Sequence, residues 1–274
     1  MNKLCIYHGN CADGFGAAWA VRHALYSEMD YHAGTYNETP PDCTGREVIM
    51  VDFSYQREVL LEIAAVAKSV LILDHHKSAA AQLVDLPENV TATFDMDRSG
   101  AMIAWEHFNP NQTAPALLLH IQDRDLWRFD MEGTREVTSA LFSYPYDFLY
   151  WDQLMETDIQ ELKDEGKAIL RKHFKDVNEL IDSNAHRADI AGVNVPAINA
   201  PHFFSSDIGH IMSKNEPFSC CYWDTEAGRT YSLRSAADGA DVSEIAAAFG
   251  GGGHKNAAGF KLSHDLVATV GNAL

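Results

Sequence analysis

Positive charge is scarce in this 274-residue chain: 21 Lys and Arg stand against 39 Asp and Glu, a formal net charge of −18 at pH 7 with histidine neutral. So acidic a chain repels the backbone of long nucleic acids, which argues against a broad, salt-dependent grip on DNA or RNA polymers. Cysteine is sparse too. Cys5, Cys11, Cys43, Cys220 and Cys221 are odd in number and form no CxxC pair, which excludes a disulfide framework. No cationic start leads into an apolar run, so no secretory leader is expected, and a cytoplasmic setting is. No stretch approaches the roughly 18 uninterrupted apolar residues of a membrane span, so no membrane partner is expected. Internal repeats and low-complexity tracts are also lacking. What remains suits a small anionic substrate held by a few local cations, and carboxylates that bind hard divalent metals.

The length fits one large or two modest domains. Short apolar runs rich in Val and Ile at 3–7, 46–53 and 69–76 predict buried strands. Between them, 14–25 and 56–68 predict helices; Val59, Leu60, Ile63, Ala64 and Ala67 give the second an apolar face. Strand, helix and strand in this rhythm imply right-handed crossovers and a parallel sheet. The aromatic stretch 144–154 closes this region, and 157–185 reads as a charged helix. Beyond it, strand-like runs at 188–199, 218–223 and 229–235 and a helix at 242–249 predict a second domain. The expected division is 1–150, a connector at 151–185, and 186–274.

Three predicted strands end in polar residues. Tyr7 runs into His8, Val51 into Asp52, and Leu73 into Asp74, His75 and His76. The carboxyl ends of strands in an open parallel sheet face the ligand crevice, so these residues are expected to converge. His8 and Asp13 flank a loop that also carries Asn10 and Cys11, where Gly14 and Gly16 let a helix start close by. Asp52 offers two oxygens and can bridge two cations; capping the helix that follows is the competing role. Three titratable groups at one strand end are costly to bury unless they bind metal or one another. Asp123 follows the apolar run ALLLHI and is expected to point inward, with Asp125 the weaker candidate. In the second domain, four consecutive glycines at 250–253 lead into His254 and Lys255, and Arg234 stands on a preceding strand. Such a loop lets phosphate approach the backbone, and Arg grips phosphate in bidentate fashion; a flexible turn is the plainer reading.

Taken together, LDHH at 73–76 and GGGH at 251–254, in that order, resemble the DHH phosphoesterase superfamily in its subgroup with the DHH-associated C-terminal domain. The likeness spans nearly the whole chain. It implies an α/β fold in which an N-terminal parallel-sheet domain is joined by a helical connector to a smaller α/β domain, with the active site in the cleft between them. By motif, it implies His8 and Asp13 as first-motif ligands, Asp52 as the bridging carboxylate, and His75 and Asp123 as ligands of a second metal. Asp74 would orient a ligand and His76 would contact the scissile phosphate. Arg234, Gly251, Gly252, Gly253 and His254 would grip substrate.

The implied cofactor is manganese, as two ions, with magnesium as the alternative. One position departs from the pattern: Cys11 stands where the superfamily commonly has a carboxylate. Asn10, Cys11 or water completes that site, or it binds its metal weakly. The implied activity is phosphodiesterase or exonuclease cleavage of dinucleotides or very short RNA or DNA. A phosphoadenosine phosphate phosphatase and a non-catalytic nucleotide or metal sensor are the alternatives. Tyr144, Tyr146 or Trp151 could stack on a base, against the plainer role of packing the domain junction.

Overall fold

A computed structural model describes residues 2–25, 29–36 and 38–271. The chain divides into two compact units, Met1–Arg171 and Lys172–Leu274.

The first unit is built on five parallel strands: β1 (Lys3–His8), β2 (Asp30–Gly34), β3 (Glu47–Val51), β4 (Ser69–Asp74) and β5 (Val90–Phe94), in the order β2-β1-β3-β4-β5. Alternation along the central strands explains the layers. Leu4, Ile6, Val48, Met50, Val70 and Ile72 enter one core, where α2 (Arg57–Val66) lays down Leu60, Ile63 and Ala64. Cys5, Ile49, Val51 and Leu73 face the opposite core. That core is filled by α1 (Ala12–Leu25), α4 (Gly100–Phe108), α5 (Ala116–Asp125), α6 (Thr134–Leu141) and α7 (Phe148–Glu156). A short α3 (Lys77–Gln82) follows β4.

The predicted strands and helices of this unit are present with small shifts at their ends. Sequence reasoning did not find β2 and β5. DYHAG is short, polar and at the edge of the sheet, while VTATF hides its alternation of Val90, Ala92 and Phe94 among threonines. Trp151 is fully buried and meets Phe15 edge-on at 4.9 Å, so it packs the core and cannot stack on a ligand. Tyr144 bonds Glu165, and Tyr146 packs on Phe15 at 5.5 Å.

The boundary between the units falls within α8 (Ile159–Asn184), the expected charged helix. The second unit holds six strands: β6 (His186–Ile190), β7 (Val193–Asn199), β8 (Ser219–Thr225), β9 (Gly228–Arg234), β10 (Gly252–His254) and β11 (Ala257–Leu262). Their order is β10-β11-β9-β8-β7-β6, antiparallel except for the β7–β8 pair. The run 188–199 is a hairpin rather than one strand, because Ala191 and Gly192 turn the chain with φ of 51° and 78°. α9 (Ser205–Met212) and the end of α8 bury one apolar cluster with Ile198 and Cys221, while α10 (Val242–Ala248) buries another with Leu233, Tyr231 and Phe260. The glycine run is half turn and half strand: Gly250 turns the chain, and Gly252 and Gly253 enter the edge strand β10. A Cβ at Gly251 would come 2.1 Å from the Gly259 carbonyl oxygen, so part of the run serves close packing against β11.

Candidate metal centre

The carboxyl ends of β1, β3 and β4 bring His8, Asp52, Asp74, His75 and His76 together, as the parallel topology requires. Asp52 follows directly on β3 with φ 52°, a left-handed conformation that costs a non-glycine residue about 1 kcal/mol or more. The turn sets its carboxylate among three imidazoles and a second carboxylate. Glycines make room for this. A Cβ at Gly100 would stand 2.3 Å from the Asp52 Cβ, and one at Gly14 would stand 2.3 Å from the His8 carbonyl oxygen.

Two groups share Asp52: His8, Asp52 and His76 form one, and Asp13, Asp52 and His75 the other. In each, one ligand atom per residue lies within 4.8 Å of the rest. His75 Nε2 is 3.0 Å from Asp52 Oδ1 and 3.7 Å from Asp13 Oδ2, and His8 Nδ1 is 3.5 Å from Asp52 Oδ2. Asp52 is 1% exposed, yet neither of its carboxylate oxygens makes a hydrogen bond of good geometry. Two buried, anionic, under-bonded oxygens between imidazole nitrogens are what a bridging metal carboxylate requires. The donor set of imidazole and carboxylate suits a divalent cation such as manganese, so the residues fit the ions that the motifs imply.

The surrounding residues hold these groups in place. Asp13 accepts the Gly100 N–H at 2.6 Å and the Ala101 N–H at 3.1 Å, at the start of α4, and keeps lone pairs for a further partner. Asp74 Oδ2 accepts the Ser54 hydroxyl at 2.9 Å, and Oδ1 accepts the His75 N–H at 2.8 Å and lies 2.7 Å from His76 Nδ1. A proton on Nδ1 therefore turns His76 Nε2 toward the site, the arrangement by which carboxylates orient metal-binding histidines. Ser54, and the Ser99–Gly100 start of α4 that grips Asp13, escaped the sequence reading. Ser-Gly before the apolar run AMIAW is a helix-start signal that could have pointed to α4.

The electrostatics follow from crowding. Burial, then the charges of Asp52 and Asp125, raise the Asp13 carboxyl well above its ordinary range. Burial also opposes charge on Asp52, but the close imidazoles of His75 and His8 outweigh it and hold this carboxyl well below its ordinary value. Burial disfavours charge on His75, yet Asp52, then Asp125 and Asp13, push its pKa up to about 11.

Asp123 is not at this cluster. Its carboxylate accepts the Asp130 N–H at 2.8 Å, the Met131 N–H at 3.1 Å and the Thr134 hydroxyl at 2.5 Å, so it points inward to pin a turn. Asp125, two residues on at the end of α5, stands with Oδ2 3.6 Å from His75 Nε2. Asp123 is buried, as its place after the apolar run led one to expect, while Asp125 approaches His75 from the other side of the helix.

In the second unit, cross-strand register sets Arg234 opposite Ala257 and Ala257 opposite His254. Arg234 and His254 thus share one face of the sheet, in one row. Arg234 donates to the Ser232 hydroxyl and the Leu233 carbonyl through Nη1, and to the Ser206 hydroxyl through Nη2. Gly252 and Gly253 pair with Gly259 and Ala258 beside this row.

No protein-family model matches the chain. It is 33% identical over 290 residues to the uncharacterized protein R106 of Acanthamoeba polyphaga mimivirus, covering 95% of this chain and 67% of that protein. Its fold is similar to that of the pGpG-specific phosphodiesterase PggH from Vibrio cholerae, with a TM-score of 0.51 at 15% identity over 98% of this chain and 96% of that chain. An exopolyphosphatase-related protein from Bacteroides fragilis matches with a TM-score of 0.51 at 15% identity, over 98% and 89% of the two chains. The chain belongs to one family with this mimivirus protein, and the fold that it shares with the two solved structures carries LDHH at the end of β4 and GGGH at the start of β10.

Proposed function

We propose that this protein is a metal-dependent phosphoester hydrolase that cleaves dinucleotides or very short oligonucleotides to mononucleotides. The observation that carries the reading is Asp52, buried, under-bonded and common to two imidazole–carboxylate groups. His8, Asp52 and His76 would hold one divalent cation, and Asp13, Asp52, His75 and Asp125 the other. Bound there, divalent cations would lower the pKa of a water nucleophile and would neutralise charge on the phosphoryl oxygens. The protein supplies the rest. Asp74 fixes the ring of His76, the start of α4 fixes Asp13, and burial keeps competing water from the Asp52 carboxylate.

Arg234 and His254, in one row of the second sheet, would grip the substrate phosphate, the charge-assisted role that a guanidinium fills best. The net charge of −18 disfavours long polymers and leaves small nucleotides to such local cations. The Vibrio protein's specificity for pGpG makes a linear dinucleotide the first substrate to try.

The test is incubation with manganese, then magnesium, of pGpG, a short RNA ladder, a cyclic dinucleotide and phosphoadenosine phosphate, with Asp74→Ala as control. Release of mononucleotides from pGpG and the shortest RNAs, lost in the variant, is the expected result. Turnover of phosphoadenosine phosphate alone would make the protein a phosphatase. Tight metal and nucleotide binding with no turnover would make it a sensor, for which the replacement of a carboxylate by Cys11 is the supporting feature.

A further inference from the structure

A 3-10 turn, His202–Phe204, runs directly into α9, so that residues 203, 206 and 209 recur every third position along one side of a continuous helical run. Two of these three touch Arg234. A Cβ at Gly209 would come 2.6 Å from the Arg234 Cγ and 3.0 Å from its Cβ, and the Ser206 hydroxyl accepts from Nη2 at 3.0 Å. The Arg234 side chain therefore lies along the helix, its stem beside Gly209 and its guanidinium beside Ser206. One step further in the same direction stands Phe203.

Phe203 is 63% exposed. His202 and Phe204 meet its ring at centroid distances of 5.4 and 4.6 Å with interplanar angles of 80° and 51°, so neither lies flat upon it. A face of the ring is left for a planar partner. A planar, apolar ring beyond the tip of an arginine matches a molecule that joins a flat heterocycle to a phosphate. A nucleotide has that form.

We infer that Phe203 is a base-stacking platform, set so that a nucleotide whose phosphate is held by Arg234 lays its base on the phenyl ring. The inference rests on the proposed action on nucleotides and adds the subsite that recognises the base. Stacking is tolerant of base identity, so this contact selects nucleotides over other phosphate esters without choosing among bases.

Calorimetric titration with AMP and with ribose 5-phosphate, in manganese, tests it on the wild type, Phe203→Ala and Phe203→Trp. The expected result is AMP binding weakened about five- to hundredfold in Phe203→Ala, the range of one base–aromatic stack, with ribose 5-phosphate unaffected and AMP binding kept in Phe203→Trp. Unchanged AMP binding in Phe203→Ala, an equal loss for both ligands, or no AMP binding by the wild type would overturn the inference. Turnover of pGpG by the wild type reports on the hydrolase reading separately: a protein that cleaves nothing but binds AMP through Phe203 keeps the platform and loses the activity.

Discussion

His76 Nδ1 stands 2.7 Å from Asp74 Oδ1, and the same oxygen accepts the His75 N–H at 2.8 Å. One buried carboxylate thus fixes both histidines of the LDHH segment. Burial works against charge on either partner, but the pair attracts strongly enough to hold the Asp74 carboxyl low and the His76 imidazole high. The sequence segment is a local device: the strand delivers the carboxylate, and the next two residues are organised by it.

Asp74→Asn keeps the shape and removes the charge. Loss of an orienting carboxylate typically costs about 10- to 100-fold in metal affinity or activity, and that is the expected drop in kcat/KM and in manganese affinity. The folded-state pKa of Asp74 lies below its ordinary value, so its contribution to stability is present above that ordinary value and is lost as pH falls through the lowered one. Acid unfolding of Asp74→Asn, followed by circular dichroism, is expected to be less steep than that of the wild type.

Asp125 and Asp123 separate binding from folding. Asp125→Ala is expected to weaken manganese binding with little change in thermal midpoint, because Asp125 faces His75 and makes no structural hydrogen bond among those described. Asp123→Ala is expected to cost about 2 kcal/mol of stability, since it strands the Asp130 and Met131 N–H groups and the Thr134 hydroxyl. Calorimetric metal titration and denaturant unfolding on both variants check this. The reverse pattern would restore Asp123 as the ligand.

Proton release should accompany metal binding. The His75 pKa of the metal-free protein is pushed up to about 11, so its ring is protonated at neutral pH and must give up that proton to bind a cation. Apparent metal affinity is expected to rise about tenfold per pH unit per proton released, through the window between pH 6.5 and 8.5. Without metal the sign is opposite for stability. A raised folded-state pKa stabilises fully below the ordinary histidine value of 6.5, and that support fades as pH rises toward 11. Titration in buffers of different ionisation enthalpy measures the protons; a flat affinity across the window would contradict the assignment.

Cys11 offers a gain-of-function test. Burial, then the charges of Asp52, Asp125 and Asp13, keep its thiol well above the ordinary pKa, so it stands neutral beside the carboxylates. Cys11→Asp adds a hard oxygen ligand and is expected to tighten manganese binding at the group containing His8. Calorimetry or competition with a chelator measures it, and unchanged affinity would place Cys11 outside the coordination sphere.

The sheet of the first unit was legible because strands buried on both faces read as unbroken apolar runs, as in EVIMV and SVLILD. Their carboxyl ends then predicted the convergence of His8, Asp52 and His75 with no further information. Asp125 was harder. The apolar run ALLLHI marks which side of α5 faces the core, whereas the site is reached by the residue at the helix end, where a turn held by Asp123 begins. Ser54 carries no motif, and although Ser-Gly marks a helix start, only the left-handed turn at Asp52 shows why a side chain is excluded at position 100. Gly252 and Gly253 are strand because they pair with β11, a contact that glycine composition alone does not encode.

Manganese stoichiometry by native mass spectrometry, on the wild type and on Asp52→Asn, tests most directly whether one carboxylate joins two metal sites. Two ions per chain in the wild type and none retained in Asp52→Asn, with hydrolysis of pGpG lost in step, is the predicted result. Two ions retained in Asp52→Asn, with hydrolysis undiminished, would contradict the account.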